Sequence, residues 1–178
     1  KAFAGCHNLE SVVLSDKITS IPMNAFEKCT TLKTIDLSNI TIIESEAFSG
    51  CSSLEDVKFD SIIKIGHSAF YNTNIKNLSF GKSLSEVEWW AFMYCQNLTS
   101  VDLSSSNLLT LNSSTFSSCK KLESINFPSC LQRIEGSCFS SCKSLKQINL
   151  SGTSVTTIPS YCFENCTELT EVHLNEAT

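Results

Sequence analysis

Apolar residues return along the chain in one order: a phenylalanine, a leucine six residues on, a pair two apart, and a second pair three apart. The phenylalanines are Phe3, Phe26, Phe48, Phe70, Phe92, Phe116, Phe139 and Phe163, at intervals of 22 to 24 residues. The close pairs run from Val12/Leu14 and Ile35/Leu37 to Ile148/Leu150 and Val172/Leu174, and the wider pairs from Ile18/Ile21 to Val155/Ile158. The stretch FSSCKKLESINFP at 116–128 is almost rewritten as FSSCKSLKQINLS at 139–151. All eleven phenylalanines obey the register, eight in the first column and Phe59, Phe80 and Phe127 at the end of the close pair.

A fixed period in the twenties signals stacked coils, because one coil cannot bury its apolar face but neighbours on both sides can. The close pair alternates with polar residues and predicts a short strand, apolar side inward. The Phe-x-x-Cys-x-x-Leu spacing predicts a short helical turn leading into that strand. The wider pair predicts a segment that closes the coil. Length variation falls after the strand, where a loop absorbs it at small entropic cost. The fourth repeat is one residue short, so Ile75 stands where the others have leucine.

The repeat C-x-x-L-x-x-I-x-L, then I-x-x-I, then A-F-x-x-C is similar to that of the BspA-like leucine-rich repeat family, as in CTTLKTIDL with AFSGC, or in IKIGHSAF. The similarity spans essentially all of residues 1–178, which are expected to form one domain, a piece of a longer protein lacking its native end caps. Two departures are mild. The proline usual after the strand survives only as Pro128, and the glycine before Ala-Phe only as Gly66 and Gly136. The resemblance implies an α/β, β-rich fold: a right-handed leucine-rich repeat solenoid of about eight coils of 22–24 residues, with a parallel sheet on the concave face. It also implies a surface or secreted protein linked to adhesion. The short hydroxyls, amides and carboxylates of the concave face suit a protein or a carbohydrate ligand, and the lack of a catalytic constellation predicts no enzymatic activity. An intracellular scaffold and a passive spacer are the alternatives.

Composition narrows the partners. Charged residues make up 17%, while 30 Ser and 15 Thr supply most of the polarity. The net charge is −5 with no basic block, which argues against nucleic acid. No apolar run approaches the ~18 residues of a membrane span. Six N-x-S/T sequons, at Asn39, Asn77, Asn97, Asn112, Asn149 and Asn165, are about what this composition produces by chance.

Candidate chemistry is sparse. His7, His67 and His173 fall in three distant repeats, and no nucleophile elbow, phosphate loop, HExxH or calcium loop occurs, so no catalytic residue and no cofactor is expected. Seven of the ten cysteines stand three after the phenylalanine, with Thr73 in the fourth repeat. They read as small buried packing residues. Cys138 and Cys162 replace alanine before the phenylalanine and pair with Cys142 and Cys166 at C-x3-C spacing, where burial is again simpler than a metal site. Cys130, in a loop, is the thiol expected to be exposed.

Two surfaces are candidates for binding. The residue between each close pair points away from the core, giving the concave-face column Asp36, Lys58, Ser79, Asp102, Asn126, Asn149 and His173. Eight strands at about 4.8 Å would extend roughly 34 Å. The second is EWWAFMYC at 88–95, where Trp89, Trp90 and Tyr94 replace residues that are mostly polar or small elsewhere. This is either an exposed aromatic patch or bulk filling the gap left by the short repeat. End-to-end self-association through open solenoid ends is a further expectation.

Overall fold

A computed structural model describes residues 1–175. Thirteen short strands follow one another: β1 (Ser11–Val12), β2 (Ser20–Ile21), β3 (Thr34–Ile35), β4 (Ile42–Ile43), β5 (Lys64–Ile65), β6 (Asn77–Ser79) and β7 (Glu86–Val87). They continue with β8 (Ser100–Asp102), β9 (Thr110–Leu111), β10 (Ser124–Asn126), β11 (Arg133–Ile134), β12 (Gln147–Asn149) and β13 (Glu171–His173). Every pairing is parallel and joins neighbouring coils. The chain is therefore a leucine-rich repeat solenoid.

The strands form two ladders, one more than the close-pair pattern predicts. The first comes from the close pairs: β1–β3, then β6–β8–β10, then β12–β13. In the third coil it is reduced to the isolated bridges Thr34–Asp56 and Phe59–Phe80. The second comes from the wider pairs: β2–β4–β5–β7 and β9–β11. From Ile21 to Val87 the second ladder advances by 22 residues per coil, and it stays in register throughout. The step from Val87 to Leu111 is 24 residues, and there the ladder breaks. The Asn112 side-chain amide donates to the Val87 carbonyl at 2.7 Å, replacing one of the lost backbone bonds.

Inside, the eight phenylalanines form one continuous stack. Successive ring centroids lie 5.2–5.8 Å apart with planes within 10°. Phe59 meets Phe70 edge-on at 5.6 Å and Phe127 meets Phe139 at 6.1 Å, so the late phenylalanines brace the early ones. Phe48, Phe70, Phe92, Phe116 and Phe139 are fully buried. In the outermost coils the same columns reach solvent at Phe3, Val172 and Leu174.

The described residues contain no helix, which corrects the expected helical turn and the α component of the fold class. The two positions flanking each internal phenylalanine at −2 and +2 have positive φ, from Asn24 (55°) and Lys28 (58°) to Tyr161 (58°) and Asn165 (57°). A left-handed residue every four positions interrupts any right-handed run. Each turn closes locally, as where the Cys29 amide donates to the Phe26 carbonyl at 3.1 Å, with positive φ at the third residue as in a type II turn. The remaining amides reach the next coil: Phe26, Phe48 and Phe70 donate to Ala47, Ala69 and Ala91 carbonyls, all at 2.8 Å. Coils approach so closely at Gly66 that a Cβ there would lie 2.7 Å from the Glu44 carbonyl carbon and the Ser45 nitrogen.

Cysteine packing follows from the same geometry. The Cys51, Cys95, Cys119 and Cys142 thiols donate to the phenylalanine carbonyl of the preceding coil at 3.0–3.3 Å. Cys138 and Cys162 are buried. Burial pushes the Cys51 and Cys162 thiols up to about 12 and Cys95 up to about 11. Cys130 departs from expectation. It is half-buried against the Ser106 and Leu108 carbonyls, and Cys6 is the exposed thiol.

Candidate functional site

The outward column of the first ladder is solvent-facing along its length: Asp36, Lys58, Ser79, Asn126, Asn149 and His173 are exposed and Asp102 is half-buried. Strand register brings Ser79, Asp102 and Asn126 side by side on three bonded strands, and Asn149 beside His173 on two more. In the third coil, where the ladder thins, a shallow groove opens between Lys58, Asp60, Ser79 and Asp102. The seven residues thus form two bonded groups with Asp36 and Lys58 ahead of them.

Three of the seven have a structural duty that explains their identity. Asp36 Oδ1 accepts from the Ser38 hydroxyl at 2.7 Å and from its amide at 3.0 Å. Asp102 Oδ1 accepts from the Ser104 amide, and Asn149 Oδ1 from the Ser151 amide, both at 3.0 Å. Each side chain folds over the end of its strand in an Asx-turn. The Ser38 hydroxyl and amide hold the Asp36 carboxyl below the usual carboxylate range, with Lys58 adding to the effect. Ser104 does the same for Asp102, helped by Asn126. The sequence carries the signal as Asp-Leu-Ser, Asp-Leu-Ser and Asn-Leu-Ser, an Asx residue two before a serine. Lys58, Ser79 and Asn126 carry no such turn and are the more available contacts. His173 lies 3.3 Å from Glu171.

The aromatic residues separate into two contacts. Trp89 and Trp90 are 51% and 44% exposed, so they do not fill an interior gap. Both lean on one imidazole, His67, at 5.2 and 5.3 Å. The His67 ring nitrogen Nδ1 meets the Trp89 carbonyl at 3.1 Å, and its amide donates to Glu88 at 2.7 Å. Tyr94 instead meets Tyr71 edge-on at 5.5 Å. Beside the tryptophans, on the outer side of the second ladder, Lys64 bridges Glu86 at 3.0 Å and Glu88 at 2.7 Å. Burial acts to raise the Glu88 carboxyl, but the bonds from Lys64 and the His67 amide outweigh it and hold it low.

Among the described residues, no group of three or more His, Cys, Asp or Glu is placed to hold a metal ion. Among the same residues no helix is long and apolar enough to cross a membrane.

Comparison with known proteins agrees with this architecture. No curated protein matches the chain. Among solved structures, a leucine-rich repeat protein from Bacteroides ovatus superposes with a TM-score of 0.67 at 23% identity, over 96% of this chain and 56% of that one. The Treponema pallidum leucine-rich repeat protein gives 0.66 at 24% identity, over 94% of this chain and 71% of that one. A leucine-rich repeat protein from Eubacterium ventriosum gives 0.55 at 19%, over 96% and 61%. At these identities the likeness is one of fold, and the chain spans little more than half of the Bacteroides protein. The family model described as "BspA type Leucine rich repeat region (6 copies)" matches residues 1–99 and 86–178, together the entire sequence. The chain belongs to the BspA-type leucine-rich repeat family.

Proposed function

We propose that this chain is a non-enzymatic recognition module that binds a protein partner through the outward face of the first strand ladder, at a cell surface. The observation that carries the reading is the aligned polar row Ser79–Asp102–Asn126, with Lys58 and the shallow groove beside it. Short hydroxyls and amides lose little side-chain entropy on ordering, and side chains on paired strands are already held in place. The surface location follows the resemblance of the repeat to BspA-like proteins. A second reading, a scaffold in a reducing compartment, draws support from ten cysteines that all remain unpaired.

The test compares the labelled chain with a Lys58→Ser/Asn126→Ser/His173→Ser variant, which leaves the Asx-turns intact. Each is titrated onto intact epithelial cells and onto cytosolic lysate from the source organism. Saturable binding to cells that the variant loses supports the adhesion reading. Capture confined to the lysate moves the function to an intracellular scaffold, and no binding in either leaves a passive spacer.

A further inference from the structure

In seven of the eight coils two residues separate the third position after phenylalanine from the following apolar residue; in the fourth, Asn74 stands alone between Thr73 and Ile75. At this short turn lies a recess of about 340 Å³, walled by the fourth coil and by residues of the third, fifth and sixth. This lies at the lower end of the ~300–1,000 Å³ range of small-ligand sites.

The walls are of two kinds. One is a fixed polar rail: Lys121 donates to Asn97 at 2.6 Å, Asn97 donates to Asn74, and Asn74 donates to Glu55 at 3.1 Å. The other is uncommitted. Asn72, Tyr94, Gln96 and Lys120 line the recess, and their side chains make no hydrogen bond among the described residues. Tyr94 sits at φ 63°, a costly conformation for an aromatic residue, and serine occupies its column at Ser118 and Ser141. The carboxylate at the end of the rail, Glu55, lies outside the lining and is paired with Lys76 at 2.6 Å, while Lys120 and Lys121 belong to the lining itself.

We propose that this recess binds a carboxylated sugar residue. Two free amides each offer a donor and an acceptor, the pairing that vicinal hydroxyls require. Tyr94, whose ring packs edge-to-face with Tyr71, supplies an aromatic side chain at the wall for the C–H side of a pyranose. The Lys120 ammonium, beside Lys121, supplies the charge for a carboxylate. The recess is open and mixed in polarity, so a bound group keeps one side in water, which suits a saccharide better than an apolar ligand. This site is separate from the first ladder and does not depend on that face binding anything.

The probe is methyl glucuronide, followed by amide NMR of the ¹⁵N-labelled chain, with methyl glucoside and inorganic phosphate as comparisons. Glucuronide shifts concentrated at residues 72–74, 94–97 and 120–121 are expected, with a dissociation constant of about 1 mM for a ligand of this size. Glucoside should bind about tenfold more weakly, the worth of one charge-assisted hydrogen bond. Lys120→Gln should erase that preference, and Tyr94→Ser, a residue the column already accepts, should weaken both sugars. Inserting one serine between Thr73 and Asn74 restores the common spacing and should abolish binding while resonances of distant coils stay in place. Shifts located elsewhere, no shifts, equal response to glucoside, or an equal response to phosphate would each overturn the proposal.

Discussion

At the scale of single residues, Asp102 shows how a side chain in a candidate binding row is also part of the scaffold. Its carboxylate ends β8 by accepting the Ser104 amide, and Asn149 performs the same task at the end of β12 with a neutral amide. A carboxyl held below its unfolded value contributes stability that is present above the unfolded pKa of about 3.9 and is lost as pH falls through the folded pKa. Asp102→Asn keeps the acceptor oxygen and removes the proton equilibrium. Urea unfolding should therefore give a smaller loss at neutral pH than Asp102→Ala does, and a shallower further loss in acid. Asp102→Ala loses the acceptor and should cost about 0.5–1.5 kcal/mol at neutral pH. An Asn variant as unstable as the Ala variant at neutral pH would show that the charge, not the turn, matters. The outward direction of this column was legible because strand side chains alternate strictly. The turn duty was equally present in the letters, but it depends on a bond two residues away, which a column alignment does not display. Trp89 and Trp90 are the opposite case, since their sequence admitted both burial and exposure, and only the turn geometry decides for exposure.

At the scale of the element, most coils are a strand, a pair of tight turns and a second strand, and the cysteine column locks coils to their predecessors. Cys29, Cys51, Cys95, Cys119, Cys138, Cys142 and Cys162 are buried, Cys130 and Cys166 half-buried, and Cys6 exposed. Only the thiolate attacks a thiol reagent, and desolvation keeps the buried sulfurs protonated. In the native protein the reagent should take Cys6 quickly, Cys130 and Cys166 slowly, and the other seven only on unfolding. Rapid native labelling of more than three thiols would contradict the packing. The period and the first ladder could be read from the apolar pattern, but the second ladder could not. Its strands are two residues long, and their pairing is fixed by coil-to-coil register. The turns were hidden for a related reason. Lysine, glutamate, serine, tryptophan and tyrosine occupy positive-φ sites where glycine or asparagine would have announced them.

At the scale of the whole molecule, the strand pairings among the described residues join adjacent coils, so local stability follows the continuity of the ladders. The second ladder runs unbroken from β2 to β7, and the amides of Glu44, Gly66 and Glu88 close its far edge onto Ile21, Ile43 and Ile65 at 2.8–2.9 Å. These amides should exchange with deuterium among the slowest in the chain. That of exposed Ser105, inside the 24-residue interval and without a hydrogen bond among the described residues, should exchange among the fastest. Uniform protection across both regions would mean that the break at the 24-residue coil has no energetic weight. The intervals in the sequence located that irregularity, while its effect on pairing required the three-dimensional register. The chain has two tryptophans, and both rest half-exposed against the imidazole of His67. All of its indole emission therefore originates from one spot on the outer turn, a built-in optical reporter. A partner that settles there changes the colour of the light, and one that settles on the strand face leaves it unchanged.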